Sequence, residues 1–152
     1  ASRLVQEAGA TVLIDEKELW PQGRFVTTHL IVRTEFLQQH PETVEALVGG
    51  HVDAVQWVTE HPDEAKTVVN DGLRTLTGKP LAPEVLNRAW QNLTVTDDPI
   101  AVSLERSAED AVTAGVAEEK VDLNGIYELS IVNRIRTERG LPTVSSGGLG
   151  KE

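Results

Sequence analysis

Residues 25–32 read Phe-Val-Thr-Thr-His-Leu-Ile-Val. β-branched and aromatic residues dominate the stretch, and such residues fit a pleated, packed surface, so it is predicted to be a strand. Its second half, Leu30-Ile31-Val32, is continuously apolar, the pattern of a strand buried on both faces. Just upstream, Thr11–Ile14 is a shorter β-branched run and is predicted to be a second strand. Leu93–Thr96 reads as either a short strand or an extended link. Two strands do not make a stable sheet by themselves. Neighbours for residues 25–32 are therefore expected from a preceding part of the polypeptide. The chain contains no methionine and begins Ala1-Ser2-Arg3, which points to a processed product or a piece of a longer protein.

On either side of this stretch the pattern is helical. Residues 2–8 look like a short helix stopped by Gly9, since Gly is the usual residue just past a helix C-terminus. Residues 15–24 are polar, with Trp20-Pro21 and Gly23, and read as a loop. Pro41 and Pro62 each stand at a first helical position with acidic residues just inside. From Pro41, Val44, Leu47, Val48, Val52, Val55 and Val58 form one apolar stripe. From Pro62, Ala65, Val68, Val69, Leu73 and Leu76 form another, ending near Gly78. Pro83 opens a short helix with Val85, Leu86, Ala89 and Trp90. Asp98-Pro99 reads as an N-cap and first turn for a helix bearing Ile100, Leu104, Ala108, Ala111 and Val112, stopped at Gly115. Asp122 is expected to cap a last helix with Ile126, Leu129, Val132 and Ile135. Residues 140–152, rich in Gly and Ser, are expected to be disordered. The fold class is α/β, mostly helical with two or three strands.

Composition narrows the function. The chain has 152 residues, with 24 acidic and 14 basic side chains and a net charge of −10. The excess is spread along the chain, with 12 acidic and 6 basic residues in 1–76 and 12 and 8 in 77–152. An evenly acidic protein repels phosphate backbones and anionic membranes, which argues against nucleic-acid binding. There is no cysteine, so disulfides, thiolate catalysis and cysteine-ligated metals are excluded within these residues.

Four histidines, at 29, 40, 51 and 61, invite a metal reading. His40 and His61 precede helix-opening prolines, His51 lies inside a helix, and no His-Glu-x-x-His pair exists, so no metal site is expected. Gly147-Gly148-Leu149-Gly150-Lys151 is not a phosphate-binding loop: Ser145 stands where its first Gly belongs and Glu152 where Ser or Thr must follow the Lys. The acidic pairs Asp97-Asp98 and Glu118-Glu119 read as caps and solvated loops, and no serine elbow is present. No catalytic residue and no cofactor is expected. The candidate ligand contacts are polar groups in apolar company: Thr27 and Thr28 on the predicted strand, and Ser2 with Arg3. Hydroxyls beside a guanidinium suit an anionic oxygen cluster such as a sulfonate or carboxylate. Ordinary strand propensity also accounts for the threonines, and a solvated chain end for Arg3.

Four stretches in order carry a family resemblance: Ser2–Asp15, SRLVQEAGATVLID; Phe25–Leu47, FVTTHLIVRTEFLQQHPETVEAL; Leu81–Pro99, LAPEVLNRAWQNLTVTDDP; and Leu123–Ile135, LNGIYELSIVNRI. Together they resemble the C-terminal half of the SsuA-like solute-binding proteins of ABC importers, the receptors for aliphatic sulfonates, taurine and nitrate. The resemblance implies part of a two-lobed, type II periplasmic-binding fold with ligand held in the cleft. Residues 1–24 would end the second lobe and return to the first. Residues 25–139 would complete the first lobe with helices, and 140–152 would be a tail. It further implies a small anionic solute as ligand, ABC permease subunits as partners, an extracytoplasmic location and a lipid anchor on the preceding segment. Ser2, Arg3, Thr27 and Thr28 would lie nearest the cleft. The same superfamily includes a thiamine-pyrimidine synthase, so precursor binding or synthesis is the alternative; a helical protein-interaction module is another. An exposed edge at residues 25–32 would pair with a second copy, so the isolated chain is expected to form a homo-oligomer.

Overall fold

A computed structural model describes residues 1–152. Seven helices account for most of it: α1 (Ser2–Ala8), α2 (Thr34–Gln39), α3 (Pro41–Glu60), α4 (Pro62–Thr77), α5 (Pro83–Trp90), α6 (Ala101–Thr113) and α7 (Ser130–Glu138). Two strands, β1 (Tyr127–Glu128) and β2 (Gly150–Lys151), make a two-stranded sheet. Single 3-10 turns occupy Glu16–Leu19 and Pro21–Gly23. The chain is thus mostly helical with a very small sheet, and no helix is long and apolar enough to cross a membrane.

Proline and glycine set the helix boundaries. Pro41, Pro62 and Pro83 are the first residues of α3, α4 and α5. At that position the missing N–H is one the helix could not use, and the fixed φ is already helical. Gly9 and Gly78 close α1 and α4 in the left-handed conformation, with φ of 66° and 72°. An L-residue would be strained at either place.

The residues cluster into two compact units, Ala1–Ile14 with Asp53–Thr96, and Asp15–Val52 with Asp97–Glu152. In the first, α1 and α4 both pack on α5, and Ala65 and Val85 are buried. The Asn70 carboxamide fixes the exit from α4: its Nδ2 donates to the Leu81 carbonyl at 2.9 Å, and its Oδ1 accepts the Leu81 N–H at 2.7 Å. In the second unit, Val52, Ala101, Leu123, Tyr127, Leu129, Val132, Ile135, Val144 and Leu149 form the core. There β1 and β2 lie parallel, Tyr127 opposite Gly150, with α7 as the crossover between them. A parallel pair needs such a crossover.

Several elements differ from those the sequence predicts. Residues 11–14 and 25–32 are not strands; both are extended or bent backbone without ladder partners. Leu30, Ile31 and Val32 are 56%, 87% and 44% exposed, whereas burial on both faces was expected. β-propensity describes how side chains fit a sheet, and no segment of this chain pairs with this one. The helix expected behind Asp98 starts at Ala101; Asp98 Oδ1 accepts the Ile100 N–H at 2.9 Å and so shapes the preceding turn instead. Asp122 likewise accepts the Asn124 N–H at 2.9 Å in a turn, and Ile126–Leu129 pass through β1 before α7 begins at Ser130.

The Gly- and Ser-rich end is ordered where disorder was expected. Val144, Ser146 and Leu149 are buried, and Gly150–Lys151 form β2. The Asn133 carboxamide holds it, donating to the Val144 carbonyl at 3.0 Å and accepting the Val144 N–H at 2.8 Å. Gly150 is required by contact. A Cβ there would overlap the Tyr127 carbonyl group, so the two strands could not keep their separation. Gly150→Ala is expected to lower stability by about 1–3 kcal/mol, the usual cost of overpacking, read as a lower urea midpoint.

Candidate functional site

Residues 24–29 form an irregular segment, bent at Thr27, that is anchored to the start of α6. The Val26 N–H donates to the Ser103 hydroxyl at 3.2 Å, and that hydroxyl donates to the Ile100 carbonyl at 2.8 Å. Ser103 is buried, so its one oxygen ties segment to helix where water does not compete. Arg24 Nη2 donates to Asp98 Oδ2 at 3.3 Å. At the other end of the segment His29 Nε2 lies 3.4 Å from the Tyr127 hydroxyl. Burial pushes the Tyr127 hydroxyl above its ordinary pKa, and the Asp98 charge adds to this. The hydroxyl therefore stays protonated at neutral pH, a donor as well as an acceptor. Upstream, Trp20 stacks on Phe25 with ring centroids 5.0 Å apart.

Thr27 and Thr28 sit in the middle of this segment, between the anchors at Val26 and His29. At the helix to which Val26 is tied, α6, the chain enters through Ile100 in the left-handed conformation, φ 46°, with no side-chain cap on the helix. Uncapped N–H groups at a helix start favour anionic oxygens. The arrangement offers hydroxyls, amide donors and one guanidinium already paired to a carboxylate. Thr27 and Thr28 are both exposed, and the segment presents no nucleophile–base pair.

Ser2 and Arg3 occupy the first turn of α1, in the other unit. Arg3 Nε donates to Glu7 Oε2 at 2.7 Å; that hydrogen bond, then the Glu7 charge, raises the guanidinium pKa further. Arg3 is thus an exposed, permanently charged group with one edge engaged within its own helix. Arg24, Asp98, Ser103 and Tyr127 had no visible signal in the sequence: each looks like an ordinary surface, cap or core residue, and three of them are far along the chain from Thr27–Thr28.

The chain is similar to known proteins over most of its length. The family model described as the NMT1-like family matches residues 1–70. A protein of Bacillus subtilis (strain 168) named "Putative aliphatic sulfonates-binding protein" is 25% identical over 142 residues, taking in 92% of this chain. The chain spans 39% of the length of that curated relative. No solved structure gives a significant match. Both comparisons agree with the resemblance to SsuA-like proteins, the family model over the first two of the four stretches and the Bacillus subtilis protein along most of the chain.

Proposed function

We propose that this chain is part of the solute-binding receptor of an ABC importer, capturing a small anionic solute, with an aliphatic sulfonate first. The observation that carries the reading is the similarity, along nearly the whole chain, to a protein named for sulfonate binding. The 24–29 segment supports it: Thr27 and Thr28 lie between residues pinned to Ser103 and Tyr127, on a segment tied to an uncapped helix start. In this reading the polypeptide adopts a type II periplasmic-binding fold. Residues 1–24 end its second lobe and return to the first, and residues 25–139 complete that first lobe. Ser2 and Arg3 belong to the segment assigned to the second lobe. The receptor works outside the cytoplasm, held by a lipid anchor, and delivers its solute to permease subunits. It performs no chemistry.

The test is a titration of the intact receptor polypeptide with taurine, short alkanesulfonates, nitrate and a thiamine-pyrimidine precursor, followed by tryptophan fluorescence. Trp20, stacked on Phe25 just before Thr27, is the expected reporter. Saturable binding of a sulfonate is expected, and Thr27→Val with Thr28→Val together should weaken it by about tenfold, the loss of one or two hydrogen bonds to a charged group. Saturation by the pyrimidine alone would replace the sulfonate reading with the thiamine-precursor one. No response to any of them would defeat the receptor reading.

A further inference from the structure

The Glu152 carboxylate is gripped by a single loop. Its Oε1 accepts the Ser146 N–H at 2.9 Å, the Ser146 hydroxyl at 2.8 Å and the Ser145 hydroxyl at 3.1 Å. Ser146 is completely buried, so two of these three donors come from a residue water does not reach. The loop turns back on itself at Gly147 and Gly148, with φ of 61° and 86°. Residues 144–151 then lie across the core as a strap. Gly147 meets α6, where an added Cβ would come 3.1 Å from the Ala101 Cβ. The Leu149 carbonyl accepts the Tyr127 N–H at 3.3 Å, and the Lys151 carbonyl accepts the Leu129 N–H at 2.9 Å. Tyr127 therefore has the strap on its backbone and His29 at its hydroxyl.

We propose that residues 144–151 are a latched strap, that Glu152 is the latch, and that the closed strap positions Tyr127 against His29. The latch works by charge. Ionised, the carboxylate takes three hydrogen bonds on one oxygen; protonated, that oxygen is a poorer acceptor and the grip weakens. The hydrogen bonds from Ser146 hold its pKa below the ordinary glutamate value, against a smaller opposing effect of burial. A lowered folded-state pKa means the grip is fully present above the ordinary glutamate range and is lost as pH falls through the lowered value.

Arg134 and Glu138 of α7 face the same groove as Glu152. Arg134 is paired with Glu45 at 2.7 Å and Glu138 at 3.2 Å. Glu128 of β1 pairs with Lys151 of β2 at 3.1 Å, and it also takes hydrogen bonds from Ser130, which with Lys151 lower its pKa despite partial burial. Glu128 is thus a second fastening with the same sign of pH dependence.

Amide hydrogen exchange on the whole chain tests the latch. With Glu152→Gln, the Ser146 and Leu149 amides should exchange about tenfold faster at neutral pH while α7 amides keep their protection. The native chain should show the same acceleration below the ordinary glutamate range, after correction for intrinsic exchange, with a smaller step in the variant because Glu128 remains. The ring resonances of Tyr127, the only tyrosine, should shift in the variant. Unchanged strap protection would overturn the latch. Equal acceleration in strap and α7 would overturn it too, as a general loosening. A loosened strap with an unmoved Tyr127 would overturn the positioning role. Glu152→Ala, which removes both oxygens, should reproduce the Gln result.

Discussion

Arg136→Leu is expected to destabilise the chain by about 3–5 kcal/mol, the range for removing one partner of a buried ion pair. Arg136 Nη1 donates to Asp97 Oδ1, and the two side chains are only 13% and 5% exposed. The same guanidinium donates through Nε to the Pro142 carbonyl, so it ties the link before α6 to the chain leaving α7. Leucine would leave the Asp97 carboxylate buried with no cation beside it. Its other oxygen, Oδ2, already has no hydrogen-bond partner. The penalty is one of solvation more than of lost attraction, and that distinction can be measured. Asp97→Asn, which removes the charge and keeps the shape, should cost less than Arg136→Leu. Combining the two should recover part of the loss, a coupling a double-mutant cycle reads directly. Urea midpoints for the four proteins decide it. Equal, additive losses would mean that the pair is effectively solvated.

The second large effect is at Asn133. Asn133→Ala should cost about 2–4 kcal/mol, because the buried N–H and C=O of Val144 both lose their partner, at about 1–3 kcal/mol for each group left unsatisfied. The two bonds, 2.8 and 3.0 Å, use both ends of one carboxamide. Asn133→Asp should be no remedy, since its second oxygen would face the Val144 carbonyl rather than donate to it. The corresponding change Asn70→Ala should cost less, since the bonds of Asn70 to Leu81 are only partly buried. Thermal unfolding of the three variants is the check. If the Asn133→Asp variant were as stable as the native chain, the Val144 carbonyl would need no donor.

These two effects lie where the sequence was hardest to read. The starts of α3, α4 and α5 and the ends of α1 and α4 were legible because they depend on local chemistry, Pro41, Pro62 and Pro83 opening helices and Gly9 and Gly78 closing them, whereas α2 was not foreseen and Pro99 does not open α6. Residues 25–32 were misread because strand propensity states a preference for a partner and not its presence. Asp98 and Asp122 were misplaced because an aspartate holding an N–H two residues on looks the same in sequence whether or not a helix follows. Residues 140–152 were misread because their order depends on Asn133 and Tyr127, which composition does not weigh. Thr27 and Thr28 were visible as polar residues in an apolar run. The anchors of their segment, Ser103 and Tyr127, are distant in sequence, 77 and 98 residues from the groups they meet.

Asn70 and Asn133 follow one grammar. Each sits on a helix, each grips both backbone groups of an apolar residue 11 positions on, and each is followed by a Gly-x-Pro before that residue, Gly78-Lys79-Pro80 and Gly140-Leu141-Pro142. Glycine ends the helix, proline straightens the return, and the carboxamide substitutes for a strand edge that a single loop lacks. Such a unit is portable. Grafted onto an idealised helical scaffold, Asn followed by Gly-x-Pro at this spacing would turn a floppy interhelical connection into a defined one, with no metal, disulfide or added strand.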